Sequence, residues 1–181
     1  MAEFVLFCVP TIIYLIVQSR GPGRTRRSAQ QRAGVAWGTP ADYGWALLLL
    51  APLVLTGWLA VVLVPAEVLE LPGVSVAQLT SLGAALAVVL RAVGEEVFFR
   101  GLIGGVLMRR LGFWWGNLLQ ALIFLIPHLL LLLVDVRLWP ILPVQYVAGL
   151  LLGWLRHRTG TLVPGAAVHV LANILAGLIT A

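Results

Sequence analysis

From Tyr43 to Val64, and again from Phe113 to Val134, the chain contains no Asp, Glu, Lys or Arg. Each stretch matches the ~20 residues that a helix needs to cross a hydrocarbon core of about 30 Å. Four more apolar runs accompany them: Ala2 to Gln18, a third that begins near Val76 and reaches Met108, a fifth from about Trp139 to Leu155, and a last from Thr161 to the C-terminus. Lipid offers no water to spare backbone N–H and C=O groups, so each run must satisfy them within itself as a helix. The expected fold is therefore an all-α, polytopic transmembrane helix bundle of about six spans. Composition agrees: 61% of the 181 residues are hydrophobic and only 10% charged, against roughly a quarter charged in a soluble domain.

The net charge is +5 and every basic residue is Arg. Most of these arginines lie in short segments beside apolar runs, the pattern that orients spans with their basic loops in the cytoplasm. Alternating the six runs puts Arg20 to Arg32, Arg109, Arg110, Arg156 and Arg158 on one side, and Arg137 alone on the other. Both termini then lie outside. The first run has its arginines after it, the reverse of a cleavable signal peptide, and reads as a retained anchor. No nucleic-acid partner is implied; the partner implied is membrane lipid, and the Arg-rich segment has anionic headgroups within reach. That segment, Ser19 to Asp42, is rich in Gly, Ser and Gln and reads as a mobile loop. Pro52 should kink the second span. Trp45, Trp114, Trp115, Trp139 and Trp154 fall near run ends, where indoles anchor at the interface. Cys8 stands alone, which excludes an internal disulfide and a cysteine metal cluster.

Charges deep in a bilayer cost at least a few kcal/mol each, so they turn inward, find partners and mark function. The third run holds four: Arg91, Glu95, Glu96 and Arg100. Glu96 and Arg100 stand four apart, on one helical face and in the favourable order. Glu95 is turned about 100° from that pair and is left to act. The plainer alternative is that Arg91, four positions before Glu95, neutralises it in a second ion pair. The other runs add His128, directly after Pro127, and His169 with Asn173 on one face of the last span. At about 1.5 Å per residue, Glu95, His128, His169 and Asn173 reach similar depths from the Arg-rich side. Pro127, lacking an N–H, should kink the fourth span beside His128.

Peptide hydrolysis needs a base for water, donors for the oxyanion and an acid for the leaving amine. Glu95 and His128 can activate water, and His169 with Asn173 can donate to the oxyanion. Neither Ser75, Ser81 nor Cys8 stands where a nucleophile is needed, which leaves direct attack by water.

At these residues the sequence resembles the CPBP family of CAAX-processing and bacteriocin-processing membrane proteases. Glu95-Glu96-Val97-Phe98-Phe99-Arg100-Gly101 is similar to its motif of two glutamates, three variable residues and Arg. Phe124 with His128 is similar to the second motif, and His169 with Asn173 to the third. The resemblance runs from about Gly83 to Ala176 and divides the chain into two N-terminal spans, residues 1–75, and a four-span catalytic core, residues 76–181. It implies an intramembrane endopeptidase of the bacterial cytoplasmic membrane acting on a membrane-delivered peptide or lipidated protein. It also implies Glu95 and His128 as water activators, His169 and Asn173 as the oxyanion site, and Glu96 with Arg100 as supporting structure. Glu with two His is a zinc-like set of ligands, but the zincin H-E-x-x-H spacing is missing and Asn is a poor zinc ligand. Likeness to glutamate-type intramembrane proteases favours a reaction without a metal cofactor, with zinc as the alternative. Two other functions compete: a noncatalytic bacteriocin-immunity or scaffold protein of the same fold, and a small transporter. A degenerate scaffold should lack one of the four site residues, and a transporter should show broken helix pairs or related halves.

Overall fold

The computed structural model describes residues 2–72, 74, 79 and 81–179; the start of the third run near Val76, Ser75 and the 75/76 division lie outside them. Among the described residues there is no strand. Helix α1 covers Ala2–Ser19, α2 Arg26–Ala33, α3 Pro40–Leu48, α4 Leu50–Val62, α5 Ala66–Leu69 and α6 Leu82–Glu95. A π-helical segment, Glu96–Gly104, continues α6 without a break, and α7 (Gly105–Leu129), α8 (Ile141–Thr159) and α9 (Val163–Ile179) complete the chain.

By length and composition three helical stretches can cross a membrane, Ala2–Ser19, Leu82–Leu133 and Val136–Thr159, and α3 with α4, bent by 41°, adds a fourth. The longest is two runs in one. Gly112 leaves helical geometry at φ 76°, ψ 172°, a left-handed φ that suits glycine. A Cβ on Gly116 would then lie 2.6 Å from the Cα of Met108, so the chain folds back sharply between the third and fourth runs. α9, 17 residues long and apolar, corresponds to the sixth. The molecule is an all-α membrane bundle, and its apolar side chains such as Leu6, Ile13 and Leu133 face outward.

Close packing between helices rests on small residues, as lipid-embedded interfaces require. A Cβ on Gly57 of α4 would stand 2.8 Å from the Cβ of Ala176 on α9, and one on Gly94 of α6 would meet the Phe4 Cα of α1 at 3.3 Å. Between α7 and α8 the contact is polar. Gln120 Nε2 donates to the Gly149 carbonyl at 2.8 Å, and Asn117 Nδ2 to the Leu150 carbonyl at 3.1 Å. The α6–π helix is flanked by α1 on one side and α9 on another, and also touches α7.

Four details bear on the expectations. Ser19 to Asp42 is built rather than mobile: Thr25 and Ser28 form a capping box for α2, and Gly34 ends it at φ 71°. Ala29 and Ala33 are buried. The α2 carbonyl end is gripped by the bundle, because Arg109 Nη1 donates to the Arg32 carbonyl at 2.7 Å, Arg156 Nη2 approaches it at 3.4 Å, and Leu162 N donates to the Gly34 carbonyl at 2.9 Å. Polar composition signalled a loop; tertiary donors made it a helix. Second, Pro127 does not end α7: the helix runs past it to Leu129 and then tightens into a 3-10 turn, Leu130–Leu133. Third, the second run bends by 41° at Leu49, where α3 meets α4, three residues before Pro52, and this is the kink expected of that proline, whose ring crowds the preceding turn. Fourth, Trp114, Trp115 and Trp139 are exposed, as interface anchors should be, but Trp45 and Trp154 pack edge to face at 5.8 Å and Arg158 covers Trp45.

Candidate active site

α6 gives way to π geometry at the second of the paired glutamates. π segments are uncommon and recur at functional sites. Their i→i+5 hydrogen bonding changes the angular step along the chain, so the α-helical 100° between Glu95 and Glu96 describes only the approach to this junction. α1 braces it from outside: Thr11 Oγ1 donates to the Val97 carbonyl at 3.2 Å, and the Phe7 ring packs on Phe98 and Phe99 at 5.8 and 5.5 Å.

Glu96 and Arg100 are both buried, 1% and 0% exposed, with Arg100 Nη1 3.1 Å from Glu96 Oε1. The expected pair is present, but none of the Arg100 nitrogens is aligned for a hydrogen bond among the described residues. Charge and the π face of Phe124, 4.3 Å from its guanidinium carbon, hold it instead. The same Glu96 oxygen also meets His169 Nδ1 at 3.0 Å. That contact joins residues far apart in the chain, so helical spacing could not reveal it. Gly165, one turn before His169 on α9, leaves the Glu96 carboxylate room: a Cβ there would stand 3.5 Å from Oε2.

With Nδ1 committed to Glu96, the other ring nitrogen of His169 points toward Glu95, and Nε2 lies 3.9 Å from Glu95 Oε2. The Glu95 side chain is 12% exposed against 1% for Glu96, so of the two it is the more open. Arg91 Nε binds Glu3 Oε2 at 2.8 Å, and among the described residues no ion pair joins Arg91 to Glu95.

His128 joins the group through Phe124. The rings lie 4.8 Å apart, and Nδ1–H of His128 donates to the Phe124 carbonyl at 2.9 Å, which in the neutral ring leaves Nε2 as an acceptor. Asn173, half-buried, follows His169 by one turn of α9 and shares its face. Glu95, Glu96, Arg100 and His169 thus meet directly, His128 adjoins them across one phenyl ring, and Asn173 extends the His169 face. Among the described residues no three His, Cys, Asp or Glu side chains are arranged to hold a metal ion.

Sequence reasoning did not anticipate the π segment, the Glu96–His169 contact or the Thr11 brace. Thr11 was visible as the one aliphatic hydroxyl in the middle of an apolar anchor.

The family profile described as Type II CAAX prenyl endopeptidase Rce1-like matches residues 77–175, more than half of the chain. No curated protein and no solved structure matches it.

Proposed function

The chain belongs to the Rce1-like family of type II CAAX prenyl endopeptidases, and from that premise we propose that it cleaves a prenylated or otherwise membrane-delivered peptide with water activated by Glu95. The observation that carries this reading is the asymmetry of the paired glutamates: Glu96 is sealed against Arg100 and His169, while Glu95 is the more exposed and faces the free nitrogen of His169.

In the reaction Glu95 accepts a proton from water, with His128 Nε2 as a second acceptor, and the hydroxide adds to the scissile carbonyl. The Asn173 amide and His169 Nε2–H donate to the oxyanion. The proton held by Glu95 then passes to the departing amine as the C–N bond breaks. Glu96 is a positioning residue, since it fixes the ring of His169 through Nδ1. With Nδ1 bound to Glu96, Nε2 is the ring nitrogen left to face the substrate. No metal takes part: activity should survive exhaustive chelation, whereas loss restored by zinc alone would contradict this mechanism. The protein belongs, on this reading, in a bacterial cytoplasmic membrane with its Arg-rich end inside.

Proteoliposomes given a farnesylated peptide ending in a CAAX sequence provide the test. Mass spectrometry should find the C-terminal tripeptide released, and the unprenylated peptide should react more slowly because it is not concentrated at the membrane. A correctly folded protein that leaves the farnesylated peptide and other membrane-anchored peptides intact would overturn the proposal.

A further inference from the structure

The peptidase site leaves unused the basic end of α1. There the chain reverses through Gly21 and Gly23 into α2, and the two helices enclose a groove of about 240 Å³ whose lining includes Leu15, Ile16, Arg20, Arg26, Ala29 and Gln30. We infer that this groove is a binding site for one anionic phospholipid, its phosphate held between Arg20 and Arg26 and the start of an acyl chain lying along Leu15 and Ile16.

Three observations support this occupant. The first is charge. No Asp or Glu occurs between Glu3 and Asp42, and among the described residues no carboxylate pairs with Arg20 or Arg26. Two guanidiniums at one groove suit a phosphodiester, which accepts their planar forks. The second is gradation. The wall passes from aliphatic on α1 to cationic at the turn, the same order as a phospholipid from tail to headgroup. The α1 side chains Ile12, Ile13, Ile16 and Val17 are exposed, placing the apolar wall in the acyl region and the arginines at its edge. The third is rigidity. Arg109 and Arg156 hold the Arg32 carbonyl, Arg109 Nη2 donates to Tyr14 Oη at 2.8 Å, and Arg32 Nη1 donates to Gln18 Oε1 at 3.3 Å. The wall facing α1 is tied to α1 and to the bundle, so little ordering remains to be done when a lipid binds.

The positive-inside pattern alone explains arginines on this side, but it makes all of them equivalent. The groove singles out two. Native mass spectrometry of the full-length protein, released from vesicles of equal phosphatidylglycerol and phosphatidylcholine, separates these readings when wild type is compared with R20Q/R26Q and with R24Q/R27Q, which removes the same charge beside the groove. Wild type should retain phosphatidylglycerol selectively. R20Q/R26Q should lower that retention by about tenfold or more, since it removes the two guanidinium–phosphate hydrogen-bonding forks of the groove, while R24Q/R27Q, whose side chains do not line the groove, stays within about twofold of wild type. Inorganic phosphate should not displace the lipid. Equal retention of the two lipids by wild type, equal loss in the two variants, or displacement by phosphate would each overturn the assignment. Far-UV circular dichroism confirms that both variants remain helical, and the outcome does not depend on peptidase activity.

Discussion

At Glu96 a single carboxylate oxygen faces both Arg100 and His169, and this residue separates support from chemistry. Glu96→Gln removes the charge that offsets a fully buried guanidinium, a change that typically costs about 3 kcal/mol or more, so thermal unfolding should show marked destabilisation. In the fraction that stays folded, kcat should fall while KM changes little, because the His169 ring loses its anchor and substrate contacts are intact. A shift in KM alone would argue against the positioning role. Asn173→Ala should lower kcat by about a hundredfold or more with stability nearly unchanged, the usual consequence of losing one oxyanion donor; a wild-type rate in that variant would remove Asn173 from the site. The Glu96–Arg100 pair was legible in the sequence because both residues sit on one element at helical spacing. The Glu96–His169 and Arg91–Glu3 contacts were not, since each joins separate helices.

Among the elements, α2 and the π segment are where periodicity was least informative. α2 is polar apart from Ala29 and Ala33, Arg26-Arg27-Ser28-Ala29-Gln30-Gln31-Arg32-Ala33, and no stripe of large hydrophobic residues announces it; its helix depends on a capping box at one end and donors from α7 and α8 at the other. Gly34 is the weak point of that arrangement. Its φ is 71° and a Cβ would lie 2.5 Å from the Arg156 guanidinium carbon. Gly34→Ala should therefore release the segment, with limited proteolysis cutting between Arg20 and Gly38 much faster than in wild type. Unchanged protection would mean that α2 is held by other contacts. Gly153→Ala tests the α7–α8 seam in the same way: the added Cβ would stand 2.0 Å from Asn117 Oδ1, which must displace the hydrogen bonds to Leu150 and Gly149. Destabilisation of about 2 kcal/mol is expected, read from thermal unfolding in detergent. The π geometry had no signal in the sequence, because the Glu96–Arg100 spacing reads equally well as an α-helical pair.

For the whole molecule, hydropathy made the bundle legible: the six apolar runs correspond to α1, α3 with α4, α6 with its π segment, the second part of α7, α8 and α9. Arginine distribution added a direction, and the fold gathers Arg32, Arg109 and Arg156 at one end, while Arg137 pairs with Glu67 and Asp135 elsewhere. Hydrogen bonds from Arg137 hold the Asp135 carboxyl below its ordinary range. With Cys8 replaced by Ser, a cysteine at Ser28 should resist a membrane-impermeant thiol reagent applied to whole cells, and one at Glu70 should react; the opposite pattern would invert the topology. Which helix carries the chemistry, and which of two adjacent carboxylates performs it, is the central claim. Its most direct measurement is tripeptide release from a farnesylated CAAX peptide by wild-type and Glu95→Gln proteins in matched proteoliposomes, each with the same unfolding temperature. Wild type should turn over, and Glu95→Gln should be slower by about a hundredfold to ten-thousandfold, the range set by losing a general base. A folded Glu95→Gln protein that cleaves at the wild-type rate would contradict the account.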